Sequence, residues 1–278
     1  MGLHVTKLIL SISSDIGVAA ANHWIDGGFK VAGTYRTCSP DIKELKKRGA
    51  RLFKCDFSDI ESIETSSKKI LDCMQDWSTL LVLPGTMTPI SNFENTDIDM
   101  WQSCIELNFI NPLRMVHSLL PLRKKECPNG QEALIMFSAG GGVQSAPVST
   151  SSYTTSKIAL IKFAEILDAE IADLRVLIFG PGWVRTKIHN EALNSKESGE
   201  AVYWRTIEAF EKNKFTDMRM ILNFFDWAEE QNKNIVGGRN FSIPDDQWGT
   251  KDLENALIEN MDMYRLRRLH NNFPRIDS

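Results

Sequence analysis

Short apolar runs punctuate the chain at near-regular intervals: "KLILS" from Lys7, "KVAGTY" from Lys30, "RLFKC" from Arg51, "TLLVL" from Thr79, "ALIMF" from Ala133 and "LRVLIF" from Leu174. Runs this short and this continuously apolar suit strands buried on both faces, whereas the longer stretches between them carry the spacing of amphipathic helices. The alternation predicts an α/β fold, a doubly wound parallel sheet with helices on both faces. A seventh strand is expected in "IVGGRNFSI", after the helical pattern "DMRMILNFFDWAEEQNK". No low-complexity linker, repeat or charge block divides the chain, so residues 1–278 are expected to form one domain. A polar, less regular segment near 187–214 and a C-terminal extension near 244–278 interrupt or follow the regular pattern.

Composition narrows the class without naming a chemistry. The chain is 42% hydrophobic and 24% charged, and no apolar run is long enough to cross a bilayer, as expected of a soluble globular protein. A net charge of −4 gives no electrostatic reason to expect nucleic acid or an anionic membrane as partner. The first residues, "MGLHVTKLILS", run almost directly into a strand and lack the features of a secretory signal, so the expected location is the cytoplasm. The five cysteines, Cys38, Cys55, Cys73, Cys104 and Cys127, contain no CxxC pair and are odd in number, which argues against a disulfide framework or a metal site.

A sheet of this kind binds ligands beyond the carboxyl ends of its strands, so the first strand-to-helix turn matters most. In "LILSISSDIGVAAANHW" the strand ends near Leu10, "SISSDIG" turns, and a helix begins near Ile16 with Ser14 or Asp15 as its N-cap. The free N–H groups of such a helix attract phosphate. Gly17 is the one glycine of that turn; Ser11 and Asp15 stand at the other two glycine positions of a GxxxGxG pattern, which makes the motif weak by itself. Tyr153 and Lys157 lie four apart in a helical stretch and therefore share a face. An ammonium beside a phenol is expected to lower a pKa ordinarily near ~10 and so create a proton donor and acceptor.

"SYTTSKIAL", the preceding "LIMFSAGGG", the following "FGPGWVRT" and the earlier "IELNFINPL" occur in the order and spacing of one family. From about Lys7 to Ile243 the chain resembles the short-chain dehydrogenase/reductases. The resemblance implies a Rossmann-type fold, a nicotinamide cofactor and a catalytic set of Asn108, Ser138, Tyr153 and Lys157. Ser138 is expected at a strand end; Ser145 is the alternative, because the turn that follows Ser138 is longer than the family's usual one. Asn108 precedes Pro112 by four residues, and a proline there should kink the helix and free the Asn108 carbonyl for a water. In the family an asparagine at this site holds a water that continues a proton path from the lysine.

The same resemblance places the cofactor against Ser11, Ser13, Ser14, Asp15, Ile16 and Gly17, with Asp56 beside the adenine and Gly85 retained where an asparagine-rich turn is usual. Pro181 and Gly182 would shape a turn around the nicotinamide, with Thr186 as a hydrogen-bonding neighbour. Tyr153 and Lys157 would also touch the cofactor. The second strand ends in "TYRT" with Arg36 and no acid, which favours NADP(H) over NAD(H), since a guanidinium suits a ribose phosphate. The implied reaction is hydride transfer between the nicotinamide and a carbonyl or alcohol carbon. Tyr203, Trp204 and Arg205 in the covering segment suit a polar, even anionic, ligand. The C-terminal stretch resembles a subgroup associated with bacterial surface-polysaccharide synthesis, implying a sugar, sugar phosphate or nucleotide sugar. Its "YRLRRL" has the pattern of an ordinary helix face. Two other functions stay open: a nucleotide-sugar epimerase or dehydratase, and a cofactor-sensing protein that has lost catalysis. The family also suggests a homodimer or homotetramer formed through the helices bearing Asn108 and Tyr153.

Overall fold

In the computed structural model, which describes residues 6–139 and 142–268, all seven expected strands form. They are β1 (Thr6–Leu10), β2 (Lys30–Tyr35), β3 (Arg51–Lys54), β4 (Thr79–Val82), β5 (Ala133–Ser138), β6 (Leu174–Gly180) and β7 (Asn240–Ser242). Every neighbouring pair runs parallel, in the order β3-β2-β1-β4-β5-β6-β7. Strand order reverses between β1 and β4, and a crevice opens there at the carboxyl edge. Residues 1–5, 140–141 and 269–278, which include the first residues of the chain, Gly140 and the last leucine of "YRLRRL", lie outside the described residues.

The alternation of side chains along each strand divides the core into two layers. Leu8, Leu10, Leu80, Val82, Ile135 and Phe137 face one side of the sheet. There they pack on α3 (Ile60–Cys73), α5 (Asn111–Leu119) and α6 (Ser151–Glu170). Ile9, Leu81, Leu134, Met136, Leu177 and Phe179 face the other side. Their partners are α1 (Asp15–Asp26), α2 (Pro40–Lys47), α9 (Met218–Glu230), α10 (Lys233–Val236) and α11 (Lys251–Glu259). Near-continuous apolar strands are the sequence's answer to being covered on both faces. The remaining helices are α4 (Ile98–Ile105) on the way into α5, and α7 (His189–Leu193) and α8 (Glu200–Glu211) in the covering segment. No helix among the described residues is long and apolar enough to cross a membrane. "YRLRRL" does not continue a helix: α11 ends at Glu259, and the described residues after it run as turns and irregular chain.

Cations, two of them buried arginines and one a half-buried lysine, close the far ends of three helices, where unpaired carbonyls would otherwise be stripped of water. Lys233 donates to Asp168 O at 2.6 Å and Ile171 O at 2.9 Å, at the end of α6. Arg239 donates to Leu257 O and to Asn260 O at the end of α11. Arg175, 2% exposed, donates to Ala228 O at 3.2 Å, Glu229 O at 3.0 Å and Gln231 O at the end of α9, and to Glu132 O at 2.7 Å. One side chain therefore joins β6, α9 and the entry to β5. Replacing it with an apolar chain of similar length leaves several buried carbonyls without donors. Arg175→Met should lower the unfolding free energy by about 3 kcal/mol in urea denaturation, whereas a change within ~0.5 kcal/mol would show that these carbonyls find other partners.

Candidate functional site

The first turn keeps its shape with one glycine because a serine takes a glycine's backbone. Ser11 has φ 61°, the left-handed region, and its N–H donates to Thr34 Oγ1 at 3.0 Å. The chain then closes on itself through Ser14 N–H to Ser11 O at 3.0 Å. Between the two candidate caps the structure selects Ser14, whose Oγ accepts from Gly17 N–H at 3.1 Å. Gly17 cannot be substituted in the same way. A Cβ there would stand 2.8 Å from Ser11 O and 2.9 Å from both Ile12 Cα and Ile12 O, all rigid backbone. Asp15, at the first position of α1, turns its carboxylate away along the cleft: Oδ2 accepts from Lys187 N–H at 2.8 Å, and Lys187 Nζ lies 3.6 Å from Oδ1. Its charge is thus partly answered before any phosphate arrives.

This turn opens into a cleft of about 1430 Å³ that runs along the carboxyl edge of the sheet. Ser11, Ser13, Ser14, Asp15 and Ile16 line one end, with Arg36 and Asp56 beyond them; Gly17 lies behind the lining, where it allows the turn to close. Burial alone would raise the Asp56 carboxyl, but two bonds from Ser58, at 2.9 and 2.7 Å, and the nearby Arg36 charge hold it below the usual range. Gly85 and its apolar neighbours Leu83 and Pro84 form the middle of the floor. At the other end lie Pro181, Gly182 and Thr186, after β6. Gly182 has φ 70°, and a Cβ would stand 2.5 Å from Thr216 Oγ1 and 2.8 Å from Pro244 Cγ, so this turn too requires glycine. The Thr186 hydroxyl donates to Val184 O at 3.2 Å, which leaves its oxygen lone pairs as acceptors.

Ser138, Tyr153 and Lys157 converge on this cleft, and Asn108 sits directly behind it. Lys157 is 4% exposed and donates from Nζ to Ser138 O at 3.1 Å; Nζ is 5.7 Å from the centre of the Tyr153 ring. Ser138 ends β5 and is half-buried, while Ser145 is exposed in the loop before α6; both line the cleft. Burial sets the two ionisable groups. It pushes the Tyr153 phenol up to about 12, with Cys104 and Glu191 adding to the rise, and pushes Lys157 down to about 8. The expected lowering of the phenol by its lysine is therefore not a property of the resting cleft: loss of water sets the phenol, and the neighbouring groups that shift it further, Cys104 and Glu191, raise it.

Asn108 is fully buried in a single π turn, Glu106–Ile110, between α4 and α5. The proline expected to kink the helix is accommodated by that wider turn, closed by Asn111 N–H to Glu106 O. The side chain binds another segment: Oδ1 accepts from Thr86 N–H at 2.8 Å, and Nδ2 donates to Thr86 O at 2.9 Å and Ser156 Oγ at 3.1 Å. A Cβ on Gly85 would lie 3.5 Å from Lys157 Nζ and 3.8 Å from Asn108 Oδ1, so both groups flank the same small residue.

The covering segment differs from expectation in which side chains it presents. Ala201, Val202, Arg205 and Thr206 of α8 line the cleft, but Tyr203 and Trp204 do not. Helical spacing puts these two on another face, where they pack edge to face beside Lys196. Instead Trp183, stacked on His189 at 5.0 Å and lying under the Arg205 guanidinium at 5.6 Å, forms the aromatic wall. Glu191 on α7 also reaches in and gathers Thr86, Met87 and Thr88. Nothing in the sequence marked Glu191 or Thr86, because the contact joins residues 105 apart with no motif around either.

A family model described as short chain dehydrogenase matches residues 6–197. An uncharacterized oxidoreductase of Schizosaccharomyces pombe is 27% identical over 161 residues, which is 55% of this chain and 62% of that protein. The chain covers between 51% and 62% of the length of this relative and of a Xenopus laevis dehydrogenase/reductase. Among solved structures, an actinorhodin polyketide ketoreductase with NADPH superposes with a TM-score of 0.72 at 18% identity, covering 87% of this chain and 97% of its own. A Shigella flexneri short chain dehydrogenase complexed with NADP gives 0.70 at 18% identity, covering 87% and 98%. At these identities the two likenesses show the fold.

The steric position of Gly17 yields a direct test. Gly17→Ala should destabilise the protein by about 2 kcal/mol or more, because backbone must move to admit the methyl group. An unfolding midpoint equal to the parent's would show that the turn is not packed against α1 as described.

Proposed function

The chain belongs to the short-chain dehydrogenase family, and from that premise we propose that it is an NADP(H)-dependent oxidoreductase acting on a carbonyl or alcohol carbon. The observation that carries this reading is the meeting of Ser138, Tyr153 and Lys157 in one cleft with a helix N-terminus and Arg36. The residues fit a dinucleotide. The free donors of α1 face a phosphate position, two turns have the close backbone approach that only glycine allows, and Arg36 stands where a ribose phosphate would lie. The NADPH and NADP complexes among the structural neighbours agree with this choice. Asp15 is the unfavourable element, offset by Lys187.

When bound, the nicotinamide supplies or accepts the hydride. The chain's own groups handle the proton and the geometry. Tyr153 donates its phenolic proton to the substrate oxygen during reduction and takes it back during oxidation. Ser138 Oγ, at the strand end, orients that oxygen; Ser145 is the second candidate. Lys157 provides the neighbouring positive charge, and Asn108 fixes the Thr86 turn behind it. Pro181, Gly182 and Thr186 shape the nicotinamide end and Asp56 borders the adenosine side, while Gly85 lies between them beside Lys157.

The substrate we propose is polar and of sugar or nucleotide-sugar type, supported by Arg205, Gln144 and Ser145 around the outer cleft. A cytoplasmic location and one domain over the whole chain belong to the same reading. So does a homodimer or homotetramer through α6, which bears Tyr153, and the helical stretch that runs from α4 through the π turn of Asn108, supported by exposed Ile98 and Met100 on α4 and Ile166 on α6.

Thermal shift should show a larger stabilisation by NADPH than by NADH, and Arg36→Ala should weaken NADPH about tenfold or more while leaving NADH unchanged. Equal response to both cofactors would contradict the ribose-phosphate role. With a panel of keto-sugars, Tyr153→Phe should abolish turnover and keep NADPH binding; turnover at the parent rate would refute the proton role.

The direction of the pKa shifts also fixes a pH response. Reduction needs the phenol protonated, which a value near 12 secures, and needs Lys157 charged, which is lost as pH rises through about 8. Reductive kcat/KM should therefore be level near neutral pH and fall above about 8, while oxidative kcat/KM, which needs the phenolate beside the same charged lysine, rises up to about 8 and is level above it. Identical pH responses in both directions would be inconsistent with this assignment.

A further inference from the structure

Glu191 makes a concentrated contact that the proposed chemistry does not use. A single oxygen, Oε2, accepts from Thr86 Oγ1 at 2.9 Å, Met87 N–H at 2.6 Å, Thr88 N–H at 3.0 Å and Thr88 Oγ1 at 3.1 Å. Charge-assisted bonds of this kind are about twice as strong as neutral ones. They join two parts of the cleft that the sheet does not connect: α7, in the covering segment, and the turn that follows β4.

The turn held by Glu191 is the turn held by Asn108. Thr86 receives the carboxylate on its hydroxyl side, and its backbone N–H and C=O are both paired with the Asn108 amide. Asn108 in turn donates to Ser156 Oγ, one residue before Lys157 on α6. Gly85, adjacent to Thr86, faces Lys157: a Cβ there would lie 3.5 Å from its Nζ. A continuous set of hydrogen bonds thus runs from the cover to the residues around the lysine.

We propose that Glu191 is a positioning residue: by fastening the covering segment to Thr86–Thr88, it makes closure of the cover and correct placement of Asn108 beside Lys157 one event. This rests on the oxidoreductase reading for its kinetic consequence, though not for its structural one. With the tie made, the turn holds Asn108 and Gly85 in register with α6. With it broken, Thr86 can move away from Asn108 while the fold and the cofactor turn, which closes on itself at the end of β1, remain in place.

The test uses the full chain and three variants. In Glu191→Ala, amide exchange should accelerate at Met87, which loses its acceptor, at Thr88, which keeps only Thr86 Oγ1, and also at Thr86, whose N–H is bonded to Asn108. The kcat for a reduced keto-sugar should fall by up to about 100-fold, the scale expected for a misplaced catalytic group, with the NADPH thermal shift unchanged. Glu191→Gln, whose amide oxygen can still accept two donors, should recover most of kcat and the protection at Thr86. Parent-like kcat in Glu191→Ala, or a loss confined to KM with Thr86 exchange unaltered, would overturn the proposal. If the alanine variant does not fold, the double variant Thr86→Val with Thr88→Val removes both hydroxyl donors and should lower kcat about tenfold, again through misplacement. No change in that variant would equally overturn it. Absence of any nicotinamide binding or carbonyl turnover in the parent would sink the oxidoreductase reading instead, and the exchange comparison would still decide whether the tie organises the turn.

Discussion

A lysine ammonium deprived of water at the carboxyl edge of the sheet is the constraint around which the site is arranged. Lys157 has little access to solvent, and its hydrogen bond goes to the carbonyl of Ser138, the last residue of β5. That one contact locks α6 to the strand end and therefore fixes where Tyr153 stands relative to Ser138. Burial makes the ammonium easier to discharge and the phenol harder to ionise. The pair rests with its proton on tyrosine, a state suited to giving that proton to a developing alkoxide. Charge brought in by a ligand can then shift the balance, because there is little water to screen it.

The opposite end of the cleft solves a different problem, how to keep a phosphate-binding turn with few glycines. Ser11 accepts a left-handed backbone at a cost of about 1 kcal/mol, stabilised by its bond to Thr34 and by the closure to Ser14. Gly17 remains because its restriction is a contact with backbone, which no change of conformation relieves. Asp15 is tolerated because the covering segment supplies Lys187 against it. Departures from the family pattern at Ser11 and Asp15 are thus compensated by residues distant in sequence.

This distinction also explains what was legible from sequence. The strands were readable because burial on both faces writes itself as continuous apolar runs, and the Tyr153–Lys157 relation because helical periodicity is local. A cap at Ser14 or Asp15 and the turn at Gly17 follow from short-range rules as well, while the choice of Ser14 is made by the fold. The π turn at Asn108 was only half legible: a proline four residues on announces a disturbance, but whether the helix bends or widens depends on what packs around it. Tyr203 and Trp204 were misplaced because composition says that aromatics are present, while the rotation of α8 says which way they face. Glu191 and Thr86 were invisible, since their meeting depends on where a distant cover comes to rest. Local periodicity is written in the chain; long-range closure is written only in the fold.

The most direct measurement is the rate of carbonyl reduction by Lys157→Met at saturating NADPH, with folding verified by its unfolding midpoint. An unbranched apolar chain at this position keeps most of the volume and removes the charge beside Tyr153. The arrangement described here requires kcat to fall by about 100-fold or more, the range general-acid support supplies. A folded Lys157→Met protein that reduces the same substrate at the parent rate would show that the buried ammonium does not sustain the chemistry.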